Sequence, residues 1–374
     1  MPIIPRLLSE VAHTTDLGWR FGAFLSLYAL MQFIFSPILG IWSDRIGRRP
    51  VLLCSLAGAA VDYLFMAIAP SLALLFVGRA IAGITGASQA VASAYIADVT
   101  SEADRARRFG QLNAVQGLGF IAGPVIGGLL GSVWIRGPFM AAAALNGVTF
   151  LVTVFVLREP ARHAVAENDV SLVNPLKTFR WALSVPALLP LLSIFLVFTL
   201  VGQVGGTIWI IYGADRWGWT PFWIGVSIAC FGLLHALAQA FVAGPLTERR
   251  GERFALMLGV IMDGTASVLI AFATQGWMAF ALMPLFGLGA VGLPALQSLL
   301  SGKVDPQKQG RLQGVLASMT SLASIVGPLA ISSLYFASRA TFPGLVWIAG
   351  AALYLVTAPV LFNLPGKASA ASNT

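Results

Sequence analysis

Long apolar runs follow one another from end to end of this 374-residue chain, separated by short polar or Gly/Pro-containing breaks. A helix of about 20 apolar residues spans the hydrocarbon core of a bilayer. The pattern therefore predicts an all-α polytopic membrane protein. We place eleven spans near Phe21–Trp42, Pro50–Ala69, Leu72–Ala97, Phe109–Ser132, Gly137–Leu157, Ala187–Tyr212, Pro221–Leu246, Phe254–Ala273, Gly276–Leu300, Gly310–Phe336 and Pro343–Leu364.

Charge supports this class and gives an orientation. Only 10% of the residues are charged and the mean hydropathy is +0.84, whereas soluble domains carry about 25% charged residues. A soluble fold is therefore excluded. The net charge of +8 could indicate an anionic partner, but the cations concentrate in alternate connections between spans. The positive-inside rule makes those connections, and the C-terminus after the last span, cytoplasmic.

The chain contains an internal repeat. "GIWSDRIGRR" from Gly40 is echoed by "GPLTERRGER" from Gly244, "GFIAGP" by "ASIVGP" around Gly123 and Gly327, and Gly110 by Gly314, always 204 positions apart (244 − 40, 327 − 123, 314 − 110). One shift for three anchors predicts two parallel halves, the arrangement of transporters whose substrate path lies between repeats. We assign residues 1–157 to the first half, 158–186 to a cytoplasmic linker and 187–374 to the second half.

The two halves differ in their number of predicted spans. Five spans precede the linker and six follow it. Equal halves need one more helix in the first, and the opening "MPIIPRLLSE" resembles the end of such a helix. We expect that most of the first helix of the fold is missing from this sequence.

Several stretches resemble a known family. "GIWSDRIGRRPVLL" matches the signature between the second and third helices of the major facilitator superfamily, and "GLGFIAGPVIGG" resembles its antiporter motif. "LYALMQF", "SLAGAAVDYL", "GRAIAGITGA", "LVGQV", "FGLLHALAQAFVAGP" and "GVIMDG" are similar to the tetracycline/proton antiporters. Gly205 and Gly206 after "LVGQV", Ser88 and Gln89 after "GITGA", and the absent acidic first helix depart from that family.

The resemblance implies a function. It implies a major facilitator fold of two six-helix halves that exports tetracycline, chelated to Mg²⁺ or a similar divalent cation, across the bacterial inner membrane. A proton would be imported in exchange, and no cofactor would be bound permanently. An exporter of another drug, an inactive truncated copy and a nutrient symporter remain alternatives. The sequence contains no pattern typical of an enzyme or a nucleic-acid binder, and it leaves the oligomeric state open.

Ionisable residues inside spans are the first candidates for the chemistry. A charged group at the bilayer centre costs about 2.5–3.5 kcal/mol on insertion scales, so such residues are functional candidates. His235 and Asp263 lie on consecutive spans, can face one cavity and are assigned to proton coupling. Asp62, Gln32 and Arg79 are assigned to the substrate and cation side. Alternatively, Asp62 pairs with Arg79, and His235 makes only a structural hydrogen bond.

The charged loop of the repeat is the candidate cytoplasmic gate. Its residues are Gly40, Asp44, Arg45, Gly47, Arg48 and Arg49. Orientation alone explains the arginines, but an acid contributes little to the positive-inside rule, and the echo keeps one at Glu248. We hypothesise that a carboxylate–arginine network latches the cytoplasmic side closed when the cavity faces outward.

The antiporter-like run places small residues at about one-turn spacing. These residues are Gly119, Gly123, Pro124, Gly127 and Gly128. Small residues allow helices in a membrane to approach closely, and a proline can bend a helix. We interpret the run as a packing surface with a bend, because no phosphate-binding Lys-Ser/Thr follows it.

Overall fold

The computed structural model describes residues 3–160, 181–182, 184–186, 188–305 and 308–363. The regular structure of these residues is helical, and eleven of their helical segments are long and apolar enough to cross a membrane. Each segment coincides with a predicted span to within a few residues, which confirms the all-α polytopic fold. The predicted linker 158–186 lies mostly outside the described residues.

The helices of the first half are α1 to α7. Their bounds are α1 Ile4–Ala12, α2 Trp19–Ile46, α3 Arg48–Ile68, α4 Leu72–Ile84, α5 Ser88–Val99, α6 Glu102–Val133 and α7 Gly137–Val156. The short α1 buries one apolar face, and its Glu10 forms an ion pair with Arg136 at 3.2 Å.

The helices of the second half are α8 to α15. Their bounds are α8 Leu189–Trp217, α9 Pro221–Ala238, α10 Gly244–Arg250, α11 Glu252–Phe272, α12 Gly276–Gly289, α13 Gly292–Ser301, α14 Gln309–Ser338 and α15 Leu345–Asn363. A π-helical turn, Gln239–Ala243, joins α9 to α10 within one span.

The chain divides into two compact units, drawn from Met1–Val173 with Thr220–Gly225, and from Asn174–Trp219 with Val226–Thr374. In unit 1, α3 packs against α2, α4, α5 and α7. Glycines permit the closest approaches: a Cβ at Gly58 would overlap the side chain of Thr85, and one at Gly83 would lie 2.7 Å from the carbonyl oxygen of Tyr28. The small residues of α3 and α4 are therefore packing positions.

In unit 2, α8 packs against α14 and α15, and α11 packs against α12, α13 and α15. A Cβ at Gly259 would lie 2.5 Å from Cα of Gly292, so α11 and α13 meet backbone to backbone. Buried aliphatic side chains, among them Leu256, Leu296 and Val315, fill the core. Close packing of this kind holds transmembrane helices together where the lipid offers no hydrophobic driving force.

Two spans are interrupted at repeat-related places. The span Leu72–Val99 breaks between α4 and α5, and the span Gly276–Ser301 breaks between α12 and α13. The break in the first span contains Gly86 and the break in the second contains Ala290, which are 204 positions apart (290 − 86). A break leaves backbone groups available to side chains, as in the discontinuous helices of other transporters.

Candidate functional site

Asp62 of α3 and Arg79 of α4 form a buried ion pair in unit 1. Nη2 of Arg79 lies 2.9 Å from Oδ2 of Asp62, and the two side chains are 13% and 3% exposed. This bears out the alternative pairing that the sequence offered for Asp62. A buried charge is tolerated when it is paired and hydrogen-bonded, so the pair accounts for two charges within the membrane.

Aromatic rings complete the surroundings of Arg79. Its guanidinium carbon lies 5.1 Å from the ring centre of Phe24 and 5.4 Å from that of Tyr28, both on α2. Rings at this distance attract a cation, more strongly where water is excluded. Oδ1 of Asp62 and Nε of Arg79 are nevertheless buried without a hydrogen-bond partner among the described residues. The pair therefore keeps one unused acceptor and one unused donor.

Gln32 joins the same cluster from α2. Its Nε2 donates to the carbonyl oxygen of Gly86 at 2.8 Å, and a longer contact of 3.4 Å reaches the hydroxyl of Tyr28. The carbonyl of Gly86 is available because the helix is interrupted there. The structure thus brings Gln32, Asp62 and Arg79 together around Tyr28, as their joint assignment requires.

In unit 2, Asp263 of α11 is paired with a tyrosine. The hydroxyl of Tyr354 on α15 donates to Oδ2 of Asp263 at 2.7 Å, and Tyr354 is buried. The ring of Phe198 packs edge-on against Tyr354 with centres 5.3 Å apart. Asp263 therefore lies in an aromatic setting in which the phenol of Tyr354 donates a hydrogen bond to its carboxylate.

His235 of α9 occupies a different environment. It is half-buried, and its ring lies 5.7 Å from the ring centre of Phe231, one turn earlier. Among the described residues no hydrogen bond or ion pair joins His235 to Asp263. A Cβ at Gly287 would contact Leu234, next to His235, and a Cβ at Gly289 would contact Asp263, so both α9 and α11 pack on α12. It stays a prediction that His235 and Asp263 face one cavity.

The gate loop forms a network around Arg48. Nη1 of Arg48 binds Asp44, one turn earlier, in an ion pair. Its Nε lies 2.8 Å from Oδ2 of Asp98 on α5, and Nη1 also contacts Oγ of Ser43 at 2.7 Å. Arg49 donates instead to the carbonyl oxygen of Val154 at the end of α7. The carboxylate–arginine network of the hypothesis is therefore present.

The other gate residues have simpler places. Gly47 has φ +114° and ψ 159°, a conformation essentially restricted to glycine, and it separates α2 from α3. The carbonyl oxygen of Gly40 accepts from Oγ of Ser43 at 2.8 Å. Arg45 is exposed.

The glycine run of α6 is not uniformly packed. A Cβ at Gly128 would overlap the carbonyl oxygen of Pro221, which belongs to the same unit. A Cβ at Gly119 or Gly123 would meet no described atom within 4 Å. Pro124 lies inside the helix. Close packing therefore explains Gly128 but does not explain Gly119 or Gly123.

Four participants were not predicted from the sequence. Asp98, Glu159, Tyr354 and Tyr28 all contact the candidate site residues. Asp98 is an acid near the end of the predicted span Leu72–Ala97, which is a usable signal. The partners of Asp263 and Arg79 come from helices distant in sequence, and no pattern in a single chain announces such contacts.

Comparisons with known proteins agree with this architecture. The sequence model of the Major Facilitator Superfamily matches residues 1–212 and again residues 194–374. The crystal structure of the nucleoside transporter NupG superimposes with a TM-score of 0.76 at 14% identity, over 97% of this chain and 98% of that one. A bacterial homologue of the human lysosomal transporter Spinster, in an inward-facing conformation, gives 0.75 at 16% identity, over 96% and 93%.

These findings define a multi-pass membrane transporter of the Major Facilitator Superfamily. Among curated proteins, the chain is 51% identical over 361 residues to the class C tetracycline resistance protein of Escherichia coli, covering 96% of this chain and 91% of that protein. It is 49% identical to the class G protein of Vibrio anguillarum, over 96% and 92%. The chain therefore belongs to the tetracycline resistance protein family, whose members are transporters rather than enzymes.

Proposed function

We propose that this protein exports tetracycline, carried with Mg²⁺ or a similar divalent cation, across the bacterial inner membrane in exchange for protons, and so confers resistance. The observation that carries the proposal is the 51% identity to the class C tetracycline resistance protein, which extends over 96% of the chain. The C-terminus is cytoplasmic in this proposal, because the cations lie in alternate connections.

Proton coupling is assigned to unit 2. Asp263 is a carboxyl group with one tyrosine hydroxyl at 2.7 Å in an aromatic setting. A carboxyl group in aromatic surroundings depends on the hydrogen bonds that it makes there, so a rearrangement of Tyr354 would change the state of Asp263. His235 is the second proton carrier, since imidazole titrates near neutral pH.

Recognition of the cargo is assigned to unit 1. Asp62 neutralises Arg79 through one oxygen and keeps Oδ1 without a partner. Carboxylate oxygens are preferred ligands of Mg²⁺, so a cation that enters with the drug would bind this oxygen after a small movement of the side chain. Gln32 and the rings of Phe24 and Tyr28 would offer amide and aromatic contacts to the drug.

The cytoplasmic gate is assigned to the network around Arg48. Arg48 ties α3 to α2 through Asp44 and to α5 through Asp98. A guanidinium shared by two carboxylates forms charge-assisted hydrogen bonds, which are stronger than neutral ones. Breaking and remaking these bonds would accompany the change between outward-facing and inward-facing states.

The test is drug-dependent proton movement in inverted membrane vesicles that contain the 374-residue chain. A proton gradient is established, and tetracycline is added with Mg²⁺ or with a chelator. We expect tetracycline to collapse part of the gradient with Mg²⁺, and to have no effect with the chelator or in an Asp263→Asn variant of equal membrane abundance.

A second arm uses a chain to which the first helix of a relative has been added at the N-terminus. If neither form moves protons in response to tetracycline while both are present in the membrane, the tetracycline assignment is wrong. A response to a different drug in the same vesicles would then identify the related exporter class.

A further inference from the structure

The residues that follow α7 are hydrogen-bonded to the start of α3. Glu159 lies three residues beyond the end of α7, and its carboxylate accepts the backbone N–H of Arg48 at 2.6 Å and that of Arg49 at 2.9 Å. The first N–H groups of a helix have no partner within the helix. A carboxylate at this end also interacts favourably with the helix dipole. Glu159 therefore caps α3 from a distant part of the chain.

Gly47 makes room for this cap. A Cβ at Gly47 would lie 2.6 Å from the carboxyl carbon of Glu159, closer than real Cβ contacts allow. Gly47 is thus required twice, for its positive φ and for the approach of the carboxylate. An alanine there would displace Glu159 even if the backbone tolerated the strain.

Two further contacts hold the same segment in place. Arg49 donates from its side chain to the carbonyl oxygen of Val154, and the hydroxyl of Tyr95 on α5 donates to the carbonyl oxygen of Arg158 at 2.8 Å. Residues 154–159 are therefore attached to both α3 and α5. These are the helices that carry Arg48 and its partner Asp98.

We propose that Glu159 is a positioning residue of the cytoplasmic gate. By binding the backbone of Arg48, it fixes the first turn of α3 and so directs the Arg48 guanidinium toward Asp44 and Asp98. Among the described residues of unit 1, no hydrogen bond joins Glu159 to Gln32, Asp62 or Arg79, so its loss slows the change of state and leaves drug affinity unchanged. The transport part of this inference rests on the proposed function, whereas the capping part does not.

Hydrogen exchange of the intact protein in nanodiscs tests the capping. Because first-turn amides lack an intrahelical acceptor, protection of the Arg48 and Arg49 amides reports Glu159 directly. In Glu159→Ala we expect these two amides to exchange about tenfold faster, because each of them loses one hydrogen bond. Glu159→Gln, which retains one acceptor oxygen, serves if the alanine variant does not fold.

The matched control is Glu252→Gln, at the start of α11. Its carboxylate contacts Oγ of Ser298 at 3.5 Å, and removing its charge should leave exchange at Arg48 and Arg49 unchanged. Equal exchange of these amides in wild type and both Glu159 variants would overturn the proposal, as would equal acceleration in the Glu252→Gln control.

Transport kinetics in the vesicles test the consequence. For Glu159→Gln we expect Vmax per molecule to fall roughly fivefold while KM stays within about twofold, with partial recovery in Glu159→Asp. An unchanged Vmax, or a raised KM at constant Vmax, would contradict the positioning role. If the wild-type chain carries no tetracycline, the proposed function fails, yet exchange at Arg48 and Arg49 still decides whether Glu159 caps α3.

Discussion

The loops Gly40–Leu53 in unit 1 and Gly244–Met257 in unit 2 occupy equivalent positions of the two halves and share their backbone geometry. Gly47 and Gly251 both have positive φ, +114° and +86°, with ψ near 160° (159° and 161°), and each precedes a transmembrane helix. Arg49 donates to the carbonyl oxygen of Val154 at the end of α7, and Arg253 to that of Phe362 at the end of α15. Both loops therefore retain a glycine with positive φ before the helix. Both also retain an arginine that donates to a carbonyl oxygen at the end of another helix, a contact that we call the arginine tie.

The residue that directly follows this glycine differs in charge between the two loops. Arg48 in the first loop binds Asp44 and Asp98, whereas the equivalent residue in the second loop is the acid Glu252, whose carboxylate accepts from the hydroxyl of Ser298 at 3.5 Å. Glu159 caps the first helix, and the repeat offset places Asn363 at that position in the second half. A neutral amide cannot supply the same charge-assisted bonds as a carboxylate.

This difference separates two roles that the sequence signature combines. The glycine and the second arginine serve the packing of either half, because both halves use them alike. Two carboxylates bind Arg48 in the first loop, whereas the equivalent position in the second loop carries the acid Glu252, so we propose that the network around Arg48 serves a task specific to the first half. In the proposed function this task is gating, and matched substitutions in the two loops test it.

The largest difference is expected for the acids. Asp44→Asn removes the ion pair with Arg48, and we expect tetracycline transport to be lost with membrane abundance intact. Glu248→Gln alters the repeat-equivalent position, where the residue four places later is Glu252 instead of an arginine, so transport should stay within about twofold of wild type. Vesicle transport normalised to immunoblots measures both. Equal losses of transport in the two variants would remove the distinction between the loops, and equal losses of abundance would indicate a folding role.

A smaller difference is expected for the glycines. Gly47→Ala and Gly251→Ala both force a residue with a Cβ into this positive-φ, extended-ψ region, which costs about 1–3 kcal/mol. Gly47→Ala also displaces Glu159, so it should destabilise the protein more. Thermal unfolding midpoints of the purified variants in one detergent measure the effect. A Gly251→Ala variant that is destabilised as much as Gly47→Ala would show that backbone strain alone determines both.

Sequence patterns were sufficient for the elements of this fold. The eleven spans, the loops at Gly47 and Gly251 and the proximity of Asp62 to Arg79 follow from apolar length, charge position and the adjacency of consecutive helices. Such features are local, since a transmembrane span must satisfy its own backbone hydrogen bonds.

Contacts between helices far apart in the chain were beyond that reasoning. Tyr354 reaches Asp263 across 91 positions, and Glu159 reaches Arg48 across 111. Neither partner has a distinctive local pattern, because one tyrosine in an apolar span and one acid after a span are common. The interpretation of the whole α6 glycine run as a packing surface was too broad for a related reason. Spacing shows which residues share a face, but it does not show what that face meets.

The smallest difference is expected for the arginine tie that both loops share. Arg49→Met and Arg253→Met remove the donor to Val154 and to Phe362, which costs about 1 kcal/mol per hydrogen bond. Each substitution also removes an Nε that is buried without a partner, and this offsets part of the loss. Because both terms occur in both halves, the shifts in thermal midpoint should be small and similar, somewhat larger for Arg49, whose contact with Val154 is partly buried. A large shift for Arg49→Met alone would mean that the contact of Arg49 with Val154 supports the gate together with Glu159. Arg49 would then belong to the charge network of the first loop instead of the packing that both loops share.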